Sequence, residues 1–129
     1  MTNDKPILRV GLIGTGFMGK THAFGFASAP QVFDLPYEIV LHVIADRSDE
    51  LASKAAQALG FAHATGDWRT LIQDPEIDLV DITAPNAFHK EMALAAIAFT
   101  ICGFDVRCCE STAMGRASGW HVCGSSWHR

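Results

Sequence analysis

The sequence predicts an α/β fold in which helices cover both faces of a doubly wound parallel sheet. Mainly apolar runs begin near residues 7, 39, 61 and 77, and a helical pattern follows each of them. This alternation is typical of a parallel sheet. A glycine motif also stands directly after the first run, where such sheets bind phosphates. The chain has 129 residues, of which 49% are hydrophobic and 19% charged, enough for one globular domain with a core.

The first element is a buried strand over residues 7–13, and three glycines follow it as G-x-G-x-x-G. Each glycine has its own physical role in a dinucleotide site. Gly14 permits a tight turn, and Gly16 lets the backbone come close to a pyrophosphate. Gly19 lets the following helix pack closely against the strand. The motif in this context predicts dinucleotide binding and a Rossmann-type fold, and a purely structural glycine turn is the alternative.

The helix after the glycines is predicted over about residues 17–28, with Pro30 as a breaker beyond it. Its positive dipole end and its first N–H groups, including those of Phe17 and Met18, would face the phosphates of the cofactor. His22 lies on this helix, and we expect it to pack against a neighbour or to meet solvent.

The second strand, residues 39–45, ends at Asp46. A carboxylate at this position accepts hydrogen bonds from the adenosine ribose hydroxyls and repels a 2′-phosphate, which favours NAD over NADP. Its neighbour Arg47 could instead pair with that phosphate or stack on adenine, so NADP stays the alternative. A surface turn is the alternative role for Asp46. We expect His42, inside the strand, to be a structural residue and not a metal ligand.

The middle of the chain continues the alternation. Ser48 is predicted to cap a second helix, which Gly60 ends. A short third strand is expected over residues 61–65, and Asp67 is expected to cap a brief helix after it.

The fourth strand is predicted over residues 77–83, and Asn86 is predicted to cap a helix over about residues 87–99. The end of this strand, including Thr83 and Pro85, would lie beside the nicotinamide of the cofactor. His89 is a candidate for a functional role there, and a solvated histidine in the first helical turn is the alternative.

These strand ends resemble the Gfo/Idh/MocA family of glucose–fructose oxidoreductase, inositol dehydrogenase and rhizopine-catabolism oxidoreductases. Its members open with G-x-I-G-x-G-x-M-G-x-x-H, matched by residues 11–22, and carry an acidic residue after the second strand, matched by Asp46. They also share T-P-N-x-x-H-x-E-x-A-x-x-A, with Ala84 as one extra residue here. The corresponding residues are Thr83, Pro85, Asn86, His89, Glu91, Ala93 and Ala96.

The resemblance covers about residues 6–98 and implies the cofactor domain of an NAD(P)-dependent oxidoreductase. The intact enzyme would transfer a hydride between nicotinamide and a small-molecule substrate that resembles a sugar or polyol. The residues predicted to contact the cofactor lie at the three strand ends. They are Gly14, Gly16, Phe17, Met18, Gly19, Asp46, Arg47, Thr83, Pro85, Asn86 and His89.

The family continues with C-E-K-P, whose lysine is implied to assist proton transfer. Here Ser111 stands at the lysine position after Cys109-Glu110, so no catalytic residue is assigned there. His89 is a catalytic candidate because of its place after the fourth strand. We therefore expect an NAD(P)-binding Rossmann domain over residues 1–99 and an aberrant or partly disordered tail over residues 100–129. The tail would hold a remnant of the fifth strand.

This departure predicts a chain truncated or frame-disrupted before the substrate domain and inactive alone, with a natural short protein as the alternative. A non-catalytic nucleotide-binding module or an inactive fragment is the alternative function.

The charge and composition of the chain indicate which kinds of partner to expect. A net charge of −4 argues against nucleic-acid binding, and no apolar run is long enough for a membrane span, so a cytoplasmic protein is expected. All four cysteines follow residue 100, and the adjacent Cys108 and Cys109 do not have zinc-ligand spacing. No disulfide framework and no metal site are predicted. An exposed sheet edge could support a homo-oligomer.

Overall fold

The computed structural model describes the backbone of residues 5–103 and the side chains of residues 5–99. Within these residues four strands and four helices alternate, as the sequence predicts. Their bounds are β1 Ile7–Ile13, α1 Phe17–Val32, β2 Glu38–Ala45, α2 Asp49–Leu59, β3 His63–Thr65, α3 Trp68–Ile72, β4 Leu79–Ile82 and α4 Asn86–Gly103. The strands form one sheet in the order β3-β2-β1-β4, and every strand pair is parallel. The doubly wound Rossmann-type fold is confirmed.

Each face of the sheet has its own hydrophobic cluster. Leu12 and Ile44 belong to the cluster that α1 and α2 cover, together with the fully packed Ala23. Ile13 and Val43 point to the other face, where they pack with α3 and α4. Because neighbouring strand residues alternate between the faces and both faces are buried, the strands are mostly apolar, with a few polar residues such as His42 and Asp81.

The structure confirms the helix caps that the sequence predicts for α2 and α3. The Ser48 hydroxyl accepts a hydrogen bond from the amide of Leu51 at 3.3 Å, and the Asp67 carboxylate accepts from the amide of Arg69 at 2.9 Å. Gly60 ends α2 with φ +82°, a left-handed conformation that favours glycine. Within the described part of the chain, no helix has the length and apolar character needed to cross a membrane.

Helix α1 is longer than the sequence predicts, because it continues through Pro30 to Val32. A proline removes one N–H donor from the helix ladder. Here it lies in the last turn of the helix, where Phe33 still donates to the carbonyl of Ala29 at 2.9 Å. The disruption is therefore confined to the end of α1.

Helix α4 also exceeds its predicted range, since Asn86 is its first residue and it continues past residue 99 to Gly103. The strands β3 and β4 are shorter than predicted by one or two residues at their ends. Residues 104–129, with most of the predicted strand remnant and the Ser111 position, lie outside the described residues.

Candidate functional site

The turn after β1 lies between the ends of β2 and β4. Gly14 has φ +105°, and its amide donates to the carbonyl of Ala45 at 2.8 Å. A Cβ atom at this glycine would stand 2.9 Å from the backbone of both Thr83 and Ala84. Position 14 therefore requires glycine for two reasons. Its φ is positive, and β4 lies too close to leave room for a Cβ atom.

Gly19 lets α1 approach this turn. A Cβ atom there would lie 2.0 Å from the carbonyl oxygen of Gly14, so any side chain would push the helix away. Thr83 secures the same turn from β4. Its amide donates to the carbonyl of Ile13 at 2.8 Å, and its hydroxyl lies 2.9 Å from that oxygen and 3.0 Å from the Gly14 oxygen. The third glycine has the packing role that the motif predicts.

Gly16 differs from both, because nothing in the fold requires it to be glycine. Its φ is −70°, which any residue adopts, and no atom from elsewhere in the fold, its two chain neighbours aside, lies within 4 Å of the position where its Cβ would stand. The glycine leaves an open space at the start of α1. Any residue other than glycine at this position would place its side chain in that space.

The N-terminus of α1 also differs from that of α2. No side chain caps α1 and its first turn has no acidic residue, whereas Ser48 caps α2 and Asp49 and Glu50 follow it. The first N–H groups of a helix have no partner within the helix. Those of α1, at Phe17 and Met18, therefore present a positive end that no side-chain cap and no acidic residue of the first turn neutralises.

Asp46, at the end of β2, bonds to the glycine turn. Its Oδ2 accepts hydrogen bonds from the amide of Thr15, at 3.0 Å, and from the Thr15 hydroxyl, while its Oδ1 accepts from the amide of Arg47 at 2.6 Å. Partial burial alone would raise the pKa of Asp46. The hydrogen bonds from Thr15 and Arg47, with the positive charge of Arg47, outweigh burial and leave this pKa below its usual value.

Thr15 is a residue that the sequence analysis missed. It occupies the variable position between Gly14 and Gly16, and a hydroxyl at that place was the available signal. Its bond to a carboxylate 31 residues away fixes the side chain at the end of β2 relative to the turn.

The residues after β4 stand beside the turn at the same edge of the sheet. Pro85 and Asn86 are exposed, and the side chain of Arg47 is exposed as well. His89 is half-buried, and its Nε2 donates to the carbonyl oxygen of Ala84. One ring nitrogen of His89 is thus engaged in holding the first turn of α4 against the loop.

Two further motif residues make contacts within the protein. Nδ1 of His22 lies 2.8 Å from Oδ2 of Asp81, which joins α1 to β4. Glu91 pairs with Arg69 at 2.7 Å on the surface. We expected His22 to pack against a neighbour or to meet solvent, and it does both, because it contacts Asp81 while 39% of its side chain is exposed. Asp81 is a partner that the sequence did not reveal.

The strand order reverses at β1, because β2 and β3 lie on one side of it and β4 on the other. Ligands of open parallel sheets bind at such a point, beyond the carboxyl ends of the strands. Of the predicted site residues, Gly14, Gly19, Asp46 and Thr83 are joined there by the contacts described above, and Gly16 borders the open space beside them.

Comparison with known proteins agrees with this geometry. Residues 8–106 match the model of the Gfo/Idh/MocA family, described as an oxidoreductase family with an NAD-binding Rossmann fold. The chain belongs to this family. It is an NAD-binding domain of the Rossmann type, and the resemblance stated from the sequence is confirmed.

Family members of known sequence include levoglucosan dehydrogenase of Pseudarthrobacter phenanthrenivorans, 50% identical over 90 residues. Those residues are 69% of this chain and 23% of the relative. An inositol 2-dehydrogenase/D-chiro-inositol 3-dehydrogenase of Lactiplantibacillus plantarum is 29% identical over 103 residues, which are 77% of this chain and 28% of the relative. The chain thus spans about a quarter of the length of these family members.

Solved structures of the family are similar as well. An NAD-binding oxidoreductase from Klebsiella pneumoniae has a TM-score of 0.69 at 47% identity, over 71% of this chain and 25% of that one. A levoglucosan dehydrogenase in complex with NADH has a TM-score of 0.68 at 50% identity, over 69% of this chain and 24% of that one.

Proposed function

We propose that the edge formed by the ends of β1, β2 and β4 binds NAD(H) with the pyrophosphate against Gly16. The single observation that carries this proposal is the open space at that glycine. Gly14 and Gly19 are required by the fold, but Gly16 is not required by its backbone angles or by a neighbouring atom. A glycine in this position is explained by a ligand that approaches the backbone closely.

The remaining contacts follow from the chemistry of the cofactor. The N–H groups of Phe17 and Met18 would donate to the pyrophosphate, because the start of α1 is uncapped and has no acidic residue. Asp46 would accept hydrogen bonds from the ribose hydroxyls. Its low pKa keeps it ionised at neutral pH, and its bonds to Thr15 hold it beside the turn.

We further propose NAD as the preferred cofactor. An ionised Asp46 repels the 2′-phosphate that distinguishes NADP, and the charge of the exposed Arg47 beside it would work against this repulsion. At the end of β4, Pro85, Asn86 and His89 would border the nicotinamide. His89 would act through its position there, since its Nε2 is engaged with Ala84.

For the whole protein we propose hydride transfer between nicotinamide and a carbon of a sugar or polyol, the class of compound named by its relatives. The cofactor, when bound, accepts or supplies the hydride. The chain's contribution is to orient the cofactor at the strand ends and to hold its phosphates.

The test is NADH binding to the purified chain, followed by NADH fluorescence, in wild type and in two valine variants. Gly16→Val should abolish binding, because its side chain would fill the space proposed for the pyrophosphate. Gly25→Val is the matched control. Gly25 also lies on α1 and also has no atom within 4 Å of its Cβ position, but it is far along the helix from the turn.

We expect the Gly25 variant to bind NADH like wild type, and both variants to keep the circular dichroism spectrum of the folded chain. Equal NADH affinity of wild type and the Gly16 variant would show that the pyrophosphate lies elsewhere.

A further inference from the structure

A second group of side chains that could bind a ligand lies towards the opposite ends of the strands, where β3 and β4 begin. It consists of His42 from β2 together with Asp74 and Glu76 from the connection between α3 and β4. Each offers one possible metal-ligand atom, and the three atoms all lie within 4.8 Å of one another.

A bulge in β2 turns His42 towards this group. Val10 of β1 pairs with Leu41 and Gly11 pairs with Val43, so His42 is an extra residue between two successive pairs. Such a bulge redirects a side chain. The imidazole of His42 consequently shares the α3 side of the sheet with Val43, and only 9% of the side chain is exposed.

Two of the three separations match those between neighbouring ligand atoms of one metal ion. Nε2 of His42 lies 3.2 Å from Oδ2 of Asp74 and 3.5 Å from Oε2 of Glu76. Adjacent ligand atoms around a tetrahedral zinc ion, at bonds of about 2.0–2.1 Å, are roughly 3.3–3.4 Å apart. Glu76 is 64% exposed, so its carboxylate has the freedom to adjust to an ion.

The backbone orients one of the carboxylates. Oδ1 of Asp74 accepts a hydrogen bond from the amide of Glu76 at 2.9 Å, which leaves Oδ2 directed at His42. A ligand held in this way by a neighbouring hydrogen bond binds a metal more tightly. The group opens into a cleft of about 310 Å³, whose lining includes His63 and Thr70, so solvent and ions can reach it.

We propose that His42, Asp74 and Glu76 bind one divalent ion of the class that includes Zn²⁺, Ni²⁺ and Cu²⁺, and we take Zn²⁺ as the example. A buried imidazole suits Zn²⁺, Ni²⁺ or Cu²⁺, whereas Mg²⁺ and Ca²⁺ prefer oxygen ligands alone. The ion would brace the bulge of β2 against the start of β4. Its role is structural, because the ends of β1 and β2 with Gly14 and Asp46 lie at the other edge.

The test is calorimetric titration of the full chain with Zn²⁺ after its four cysteines have been alkylated, since free thiolates also bind zinc. Wild type should bind one Zn²⁺ that His42→Gln does not bind. Asp74→Asn and Glu76→Gln should each weaken this binding by at least about tenfold, and Mg²⁺ should not compete.

The matched control is His22→Gln, which removes a histidine that faces a single carboxylate, Asp81. It should bind Zn²⁺ like wild type. If His42→Gln does not fold, the exposed Glu76→Gln and the half-buried Asp74→Asn decide the question. Zn²⁺ affinities of these two equal to that of wild type, or the lack of any zinc site in wild type, would overturn the proposal.

Discussion

Thr15 and Asp46 are joined by two hydrogen bonds to one oxygen, Oδ2, although they lie 31 residues apart in the chain. The bonds connect the glycine turn after β1 to the end of β2. They have consequences for stability as well as for binding, because they act on the ionised form of the carboxylate.

The first prediction concerns the pH dependence of stability. The folded pKa of Asp46 is below its unfolded value, so its ionisation stabilises the fold above about pH 4 and this stabilisation is lost as pH falls through the folded pKa. Asp46→Asn should therefore unfold at lower urea concentration than wild type at neutral pH, and the gap should narrow in acid.

The control for this experiment is Asp34→Asn, which removes a fully exposed carboxylate paired with Lys5. Exposed pairs contribute little to stability, so this variant should follow wild type at every pH. A gap between wild type and Asp46→Asn that does not change with pH would contradict the prediction.

The second prediction separates the two residues after β2 by their effect on cofactor choice. Asp46→Ala should weaken NADH binding relative to NADPH, by about 1.5–3 kcal/mol for the lost charged hydrogen bond. Arg47→Ala should leave NADH affinity near its original value and weaken NADPH. Fluorescence titrations with both cofactors measure the ratio, and an unchanged ratio in Asp46→Ala would refute its assignment to the ribose.

The third prediction contrasts two glycines of α1. Gly19→Ala should lower the free energy of unfolding by at least about 1–3 kcal/mol, because the new Cβ atom would stand 2.0 Å from the Gly14 oxygen. Gly25→Ala has open space and should raise stability by up to about 1 kcal/mol through helix propensity. Urea unfolding of both variants tests this, and similar values for the two would argue against the close packing of α1 on the turn.

The fourth prediction concerns the bond between His22 and Asp81. A double-mutant cycle with His22→Gln and Asp81→Asn should give a coupling energy of about 0.5–1.5 kcal/mol, since the Asp81 side chain is only 15% exposed. The exposed pair of Glu50 and Lys54 on α2 is the comparison and should give about 0.3–0.5 kcal/mol. A coupling near zero for His22 and Asp81 would mean that this bond does not stabilise the docking of α1 on β4.

The sequence by itself determined the order of the strands and helices and the glycine turn after the first strand. These features are local. The apolar period of a segment, the capping hydroxyl of Ser48 and the left-handed glycine at Gly60 each act within a few residues, so the printed sequence contains their cause. The same holds for Asp46, whose place at the end of β2 follows from the length of the apolar run.

Only the tertiary structure decided which distant side chains meet. His22 contacts Asp81 across 59 residues, and His42 meets Asp74 because a bulge shifts the register of β2. The spacing of apolar residues indicates which face of the sheet a residue occupies. Its partner on that face depends on the register of the strands and on where each helix packs.

The glycines show the same division. From the sequence the motif predicts a ligand role for Gly16 and a packing role for Gly19, but the sequence does not show which atoms lie beside either glycine. In the fold a Cβ at Gly19 would meet the carbonyl of Gly14, while a Cβ at Gly16 would meet nothing. Gly16 precedes α1 and Gly19 lies within it, and only the packing of α1 on the turn shows that the fold requires glycine at Gly19 and leaves the space beside Gly16 open.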